Sequence, residues 1–499
     1  MSIHPGGRNR DANREWPIRA TAARPTRHSS RQKQKAKPID LSIAAVGQQH
    51  HPIHTKNKEA QEFFNQGITL IYAFNHEEAA RSFRLAAELD ATSPMPLWGI
   101  ALAVGPNYNS NVDAEVERLA FETIQKAQQL ATAAPQVEKD YVAALATRYS
   151  GDANPDYKQL SQNYAAAMKA LSAKYPDDLD AATMYAESLM DLNPWKLWSA
   201  DGKPAENTVE IVTVLESVLA RNPGRAGANH YYIHAVEASS NPARALPSAR
   251  RLDTMLPQAG HLVHMPTHIY ERTGDFDLAA RNNAEAARVD RWYAERAGQV
   301  GSIYDLMYHS HNEHFEAMAA SMEGNYAQAR KAADSMAARL LPHAKMMPML
   351  DGFIMAPIWV DVRFGKWQEV LSRPEPMKEL ADVFASPRAG GERQGGGEGT
   401  RIVCGRGRSV SSGCQLRRNE QSERRAGRGR ARGRWAIAAA KGHKDAAIEH
   451  WTKAVAIQEP LNYDEPADWY YPVRESLGAA LLAAGNAPEA ERVFRVDLQ

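Results

Sequence analysis

A stretch of this chain repeats itself at a fixed distance. His230-x3-His234-x2-Glu237 returns as His264-x3-His268-x2-Glu271, 34 residues later, and small and aromatic side chains recur in a frame of the same length. Counted from Ala60, Phe63, Gly67, Ala79, Phe83 and Ala86 fall at positions 4, 8, 20, 24 and 27, with Ala91 at position 32. Counted from Ala226, Ala245, Ala249, Leu252 and Pro257 fall at positions 20, 24, 27 and 32. The copy that starts at Gly260 carries the turn Gly274-Asp275-Phe276 followed by Ala279, Asn283 and Ala286. Shorter matches follow at Gly324-Asn325-Tyr326 with Ala329, at Gly365-Lys366-Trp367 with Val370, and at Leu477-Gly478 with Leu481, Ala490 and Phe494. Small residues at positions 8 and 20 let two antiparallel helices approach closely, while larger ones at 4, 11 and 24 fill the layer between them. One such hairpin cannot bury its apolar face alone, so successive copies must stack.

On these positions the chain resembles the tetratricopeptide repeat family over residues 55–386 and 435–499. The resemblance implies an all-α fold, a right-handed superhelical solenoid of helical hairpins. Two runs, Asn229-His230-Tyr231-Tyr232-Ile233-His234-Ala235-Val236-Glu237 and Ala259-Gly260-His261-Leu262-Val263-His264-Met265-Pro266-Thr267-His268-Ile269-Tyr270, also look like a bacterial subgroup of that family with His-rich repeats. That likeness names no ligand.

Composition sets the surroundings of the array. The chain of 499 residues is 43% apolar and 24% charged, enough for a sizeable core. No apolar run reaches the roughly 18 residues of a membrane-spanning helix, so no membrane span is expected. Only Cys404 and Cys414 are present, which excludes a disulfide scaffold and a cysteine-rich zinc module. The net charge of +1 hides a partition: residues 1–37 carry ten Lys/Arg against Asp11 and Glu15, and residues 388–434 carry thirteen Arg against four Glu. The remaining residues are therefore acidic, which argues against nucleic acid as a partner of the folded body.

Two segments stand outside the repeat pattern. Residues 1–54 read as a disordered basic leader, too poor in apolar residues to offset the entropy of ordering. They contain neither the apolar core of a secretory signal nor an amphipathic transit pattern. The cytoplasm is the default expectation, with export if the start codon hides a signal peptide. Residues 387–434 hold both cysteines and twelve Gly without one Lys. Three readings stand open for them: a frameshifted stretch of a GC-rich gene, a genuine linker, and an Arg/Gly-rich RNA-binding tail. Helix-compatible sequence resumes at Ala436, with Ala447, Trp451 and Ala454 where a repeat helix expects them.

The histidines carry the chemical signal, and eight of seventeen lie between His230 and His314. In the repeat frame His230, His234 and Glu237 occupy positions 5, 9 and 12 of one first helix, and His264, His268 and Glu271 those of the next. His261 is position 2 of that second helix, and a copy starting at Ser310 puts His311 at position 2 and His314 at position 5. The resemblance implies that positions 2, 5, 9 and 12 line a concave groove. Independently, residues three and four apart share one helix face, so each triplet is a His-His-Glu stripe. Neighbouring helices pack about 8–10 Å apart, close enough for His230, His234, His264 and His268 to converge on one ion, with His261, His311 or His314 completing the ring and Glu237 or Glu271 beside it. Imidazole with carboxylate suits a divalent transition metal such as zinc.

Three functional readings follow. The groove could bind a protein segment or small ligand, as repeat proteins do. The paired stripes could bind metal, with Glu237 or Glu271 as a base on metal-bound water if the protein is hydrolytic. The histidines could also be packing residues of duplicated helices. No phosphate-binding Gly-rich loop, HExxH or Gly-x-Ser-x-Gly elbow is present, so no catalytic residue is assigned. His50, His51 and His54 form a second small cluster, expected to stay solvated.

Overall fold

The computed structural model describes residues 38–39, 49–110, 113–347, 350–372, 444–461, 463–465 and 472–497. The basic leader up to residue 37 and the Arg/Gly-rich segment 387–434 lie outside the described residues. Among the described residues the regular elements are helices, and β pairing is limited to the isolated bridges Asn107–Ser110 and Trp198–Pro204.

The helices run as consecutive antiparallel hairpins of a right-handed solenoid. They are α1 (Lys58–Tyr72) with α2 (His76–Leu89), α3 (Met95–Val104) with α4 (Ala114–Ala131), α5 (Gln136–Ala146) with α6 (Tyr157–Lys174), and α7 (Leu179–Met190) with α8 (Thr208–Arg221). Next come α9 (Ala226–Val236) with α10 (Leu246–Met255), then α11 (Gly260–His264) and α12 (Pro266–Thr273) against the long α13 (Phe276–Arg296). The array continues through α14 (Ser310–Met322) with α15 (Tyr326–Leu340), then the short α16 (Asp351–Ile354), α17 (Ala356–Arg363) and α18 (Trp367–Ser372). Beyond residue 443 lie α19 (Lys444–Gln458) and the hairpin of α20 (Val473–Ala483) and α21 (Ala487–Asp497). Helices α9, α11 and α14 begin at Ala226, Gly260 and Ser310, the residues from which the repeat frame was counted.

Local chemistry explains where these helices start and turn. The side-chain oxygen of Asn57 accepts from the backbone N–H groups of Glu59 and Ala60, and that of Asn75 accepts from Glu78, which satisfies donors a helix N-terminus leaves open. The turns between paired helices reuse one conformation: Gly274, Gly324, Gly365 and Gly485 all have positive φ, between 63° and 88°. Glycine is the residue that adopts it without steric cost. The packing layer is equally direct. A Cβ on Gly67 would run into the Phe83 ring, and one on Gly478 into Phe494. Phe83 is fully buried, so Phe83→Ala would cost about 3–5 kcal/mol.

The array curls until its first hairpin meets its middle. Gly227 of α9 leaves room for the Tyr72 ring of α1, Nη2 of Arg81 on α2 donates to the Tyr293 hydroxyl of α13 at 2.9 Å, and the Tyr72 hydroxyl donates to Asp180 of α7 at 2.7 Å. Residues just before α1 join this closure. Gln49 accepts from the N–H of Ala226 at 3.2 Å and donates to the Gly224 carbonyl at 2.9 Å, capping the helix that carries His230.

Candidate metal centre

The repeat frame decides which histidines meet. His230 and His234 stand on one face of α9, and His261, at position 2 of the next first helix, reaches back to them. His264 and His268 stand one repeat further on, and His311, again at position 2 of the following first helix, completes their set. Each group of three offers nitrogen atoms that lie within 4.8 Å of one another. The four histidines expected to share one ion are thus divided between two triads. The two triads are neighbours: the His234 and His268 rings lie 5.5 Å apart and those of His261 and His264 5.7 Å apart.

His314 is at position 5 of the third copy and would open a third set, but position 9 there is Met318 and the series stops. Its ring instead stands edge-on to Phe353 at 5.5 Å, and burial pushes its pKa down to about 4. Glu237 and Glu271 also part company. Oε1 of Glu237 accepts from Nδ1 of His234 at 2.7 Å, and its Oε2 lies 2.8 Å from Nδ1 of His268, so one carboxylate ties a ring of each triad. Glu271 has a buried oxygen without a partner, and burial raises its carboxyl well above the ordinary range.

The ring nitrogens facing away from the centre are mostly committed. Nδ1 of His230 donates to the Tyr72 carbonyl at 2.6 Å. Nδ1 of His264 donates to Oδ1 of Asn283 at 2.6 Å, and the Asn283 amide is held in that orientation by its own donation to the Ala279 carbonyl at 2.9 Å. Nδ1 of His268 sits between Glu237 and Glu465, close to both though off the line of a well-formed hydrogen bond. With the proton on Nδ1, a neutral imidazole presents a lone pair at Nε2. Those Nε2 atoms converge: His264 to His268 at 2.7 Å, His264 to His311 at 3.1 Å, and His230 to His261 at 3.1 Å. Nε2 of His234 and Nδ1 of His261 are buried without a partner. A tetrahedral ion with metal–nitrogen bonds of about 2.0–2.1 Å holds its donors about 3.3 Å apart, which is near the 2.7–3.1 Å of these pairs and inside the 4.8 Å within which each whole set lies.

Electrostatics runs the same way. Burial, reinforced by neighbouring imidazoles, holds the pKa values of His230, His261, His264 and His311 well below the usual histidine range. His268 is the exception: burial opposes its protonation, but Glu465 and Glu237 override it and push its pKa well above that range. Burial works against ionisation of Glu237, yet His268 and His234 hold its carboxyl below the ordinary carboxylate range, while burial and Glu237 raise Glu465.

Five of the six triad histidines are buried rather than lining an open groove, and His311 is half-buried. His230 and His264 are 0% exposed, His268 1%, and His234 and His261 3%. Aromatic side chains close the space in front of them. Phe74 lies 4.5 Å from the His230 ring and 5.1 Å from His261. Tyr108 and Trp195 each lie 5.7 Å from His234, and Tyr308 is 5.2 Å from His261. Phe315 covers the second triad at 4.6 to 5.1 Å from its three rings. A segment beyond α19 completes the closure, with the Tyr463 hydroxyl donating to Oε2 of Glu237 at 3.1 Å and Glu465 against His268.

Several of these residues carried no repeat signal. Glu465 and Tyr463 lie in no repeat frame. Asn283 stands at position 24 of its copy, a packing position of the repeat. Phe74 had a usable signal, for it stands directly before Asn75 where other copies have Gly before Asn, Asp or Lys. Its φ of 54° is the glycine conformation held by a bulky residue, at a cost of order 1–3 kcal/mol. Trp195, with φ of 62°, repeats that strain. Both rings face His234.

Of the small cluster ahead of α1, His50 and His54 are exposed as expected, and His51 alone is buried. Nδ1 of His51 lies 3.0 Å from Oδ2 of Asp180. His51, Asp178 and Asp180 also form a set close enough for an ion, but Arg225 and the Tyr72 hydroxyl already occupy Asp180. His50 contacts Asn65 at the surface, and His54 contributes its backbone N–H to Glu138.

No family model and no curated protein matches the chain. Among solved structures it is similar to the human IFIT1 dimer with m7Gppp-AAAA, at 13% identity over 93% of this chain and 97% of that one, with a TM-score of 0.38. The human IFIT1 dimer with PPP-AAAA gives 13% identity over the same shares and a TM-score of 0.37. The P58(IPK) TPR domain gives 12% identity over 88% and 99%, with a TM-score of 0.19. Among the described residues no helix is long and apolar enough to cross a membrane.

Proposed function

We propose that this helical repeat protein binds transition metal in two adjacent three-imidazole sites, His230/His234/His261 and His264/His268/His311. The observation that carries the reading is the grouping of three ring nitrogens in each set, with His230 and His264 held at Nδ1 by a carbonyl and an amide oxygen and His234 by Glu237. Metal-bound histidine is held in this way by outer partners. Each close Nε2 pair can also be a hydrogen bond in which one ring carries the proton, so the atom that most needs a ligand is the buried Nε2 of His234, which has no partner and is costly to leave unpaired.

This reading moves the notion of a ligand groove. A protein segment cannot reach side chains this deeply buried, so a protein partner, which repeat architectures commonly bind, would use other surfaces of the array. It also disfavours hydrolysis with Glu237 as the base, since both its oxygens are engaged by ring nitrogens and Tyr463. The likeness to a bacterial subgroup with His-rich repeats is part of the same proposal, because the runs that carry it supply five of the six ligands. Elemental analysis of protein purified without a polyhistidine tag tests it. The expected result is transition metal bound to the chain, together with a thermal midpoint that falls when a chelator removes it. Metal-free protein with an unchanged midpoint after incubation with copper, zinc, iron or nickel salts would refute it.

A further inference from the structure

The two triads leave a further set of donors unused, at the opposite edge of two of their rings. Nδ1 of His234 lies 2.7 Å from Oε1 of Glu237 and 3.8 Å from Oε1 of Glu465. Nδ1 of His268 lies 2.8 Å from Oε2 of Glu237 and in contact with Oε2 of Glu465. His234, Glu237 and Glu465 alone offer donors within 4.8 Å of one another, close enough to hold an ion. The four side chains are between 0% and 3% exposed. Helices α9 and α12 and the segment beyond α19 thus surround one point with two ring nitrogens and two carboxylates.

Hydrogen bonding inside this group does not satisfy it. Nδ1 of His268 is buried between the two carboxylates without a well-aligned hydrogen bond to either. Among the described residues Glu237 and Glu465 pair with His234 and His268 and with no Lys or Arg. In the ion-free chain the positive charge between them is a proton on His268, one charge against two carboxylates in a dry interior. A divalent ion in its place cancels both. The printed spacings of 2.7–3.8 Å bracket the about 3.3–3.5 Å between donors of a tetrahedral zinc ion with bonds of about 2.0–2.2 Å. The chain itself fills all four positions, the pattern of a structural zinc site, whereas a catalytic one keeps a position open.

Resting on the metal-site reading, we propose that a third ion, zinc(II), binds between the triads to Nδ1 of His234, Nδ1 of His268, Glu237 and Glu465, and that it fastens the Tyr463–Glu465 segment to the array. The protons displaced from the two Nδ1 atoms move to Nε2 or leave to solvent, so that each ring is neutral. With the triads empty the site then carries no net charge, and this position fills before them. When the triads fill as well, His234 and His268 bridge neighbouring ions as imidazolates. The fastened segment comes from far along the chain, for the Tyr463 hydroxyl meets Glu237 across 226 residues. An ion held by α9, α12 and Glu465 cross-links them, which is how a structural zinc stabilises a fold.

The full-length chain, stripped of metal, is titrated with zinc(II) against a competing chelator, and zinc-edge X-ray absorption is recorded at one equivalent. The expected first ion shows the scattering of two imidazole rings with oxygen donors, where an ion in a triad shows three rings. Glu465→Gln, with helical content checked by circular dichroism, should weaken that first equivalent by more than the about 10–100-fold cost of losing an outer partner of a ligand. Zinc should slow amide exchange in peptides that span Tyr463–Glu465 in the parent chain and not in this variant. The double change His261→Ala with His311→Ala breaks both triads and should retain the first equivalent at the parent affinity. A three-ring signature for the first ion, or its loss from that double variant, would overturn this inference and leave the triads standing. So would a Glu465→Gln chain that binds the first equivalent as tightly as the parent. Absence of zinc uptake would also overturn it, and absence of copper, iron and nickel uptake besides would sink the metal-site reading with it.

Discussion

The two histidine triads obey one rule and are closed by different parts of the chain. Each takes positions 5 and 9 from one first helix and position 2 from the next, so duplication of a repeat supplies two copies of the donor set. The first triad is walled by the α1–α2 turn through Phe74, with Tyr108, Trp195 and Tyr308 around it. The second is covered by Phe315 of α14 and by the Tyr463–Glu465 segment. Their carboxylates differ as well: Glu237 joins the triads, while its counterpart Glu271 touches neither set of rings. Repetition therefore explains the donors, and the departures from repetition explain the enclosure.

The largest effect should come from breaking both triads at once. The double change His234→Ala with His268→Ala removes one donor from each set and both ring partners of Glu237. Bound metal should fall to background in elemental analysis, while circular dichroism shows helical content near that of the parent chain. Metal retained by the double variant would mean that the triads are not the ligands.

Glu237→Gln and Glu271→Gln sharpen the contrast between the two carboxylates. The first should weaken metal binding by about 10–100-fold, the usual cost of losing an outer partner of a histidine ligand. The second should leave affinity unchanged, since Glu271 contacts no ligand ring. Equal effects in a competition titration would show that the bridging contacts of Glu237 have no special role.

Acid should separate the metal-free protein's histidines by sign. His230, His261, His264 and His311 have depressed pKa values in the folded chain, so below the unfolded value of about 6.5 the unfolded state binds more protons. Their contribution to stability is present above that pH and is lost as pH falls, by up to roughly 1.4 kcal/mol per pH unit for each ring. His268 has the opposite sign, its stabilisation complete below about 6.5 and lost as pH rises through its elevated folded value. Denaturant midpoints of the stripped protein should thus decline from pH 7 to 5. Metal-loaded protein should resist over the upper part of that window, because bound imidazole cannot take a proton.

The smallest effect concerns the turns. Gly274→Ala places a Cβ at a φ of 84° and should cost about 1 kcal/mol with metal content unchanged. Phe74→Gly relieves the same backbone strain but removes the ring packed on His230 and His261, so it should speed extraction of metal by a chelator. If both variants lose metal at the parent rate, Phe74 is a turn residue and nothing more.

Much of the fold was legible because repeat packing is local. Gly67 under Phe83, the turn glycines at 274, 324 and 365, and helix starts at Ala226, Gly260 and Ser310 all follow from side-chain size and backbone conformation at a fixed period. The donor residues were legible for the same reason, though their grouping was not. Periodicity places His234 and His268 on equivalent faces without saying whether equivalent faces converge on one ion or form two successive sets.

What the sequence by itself determined is therefore the helical array and the stripes of imidazole it presents. What only the tertiary structure decided is that the stripes are buried, that His261 and His311 complete them while His314 does not, and that Phe74, Asn283, Tyr463 and Glu465 hold or cover them. The physical reason is contact range. A helix hairpin encodes its own packing within one period, whereas closure of the solenoid brings Tyr72 to His230 and Tyr463 to Glu237 across 158 and 226 residues of chain, and no local pattern specifies such a meeting.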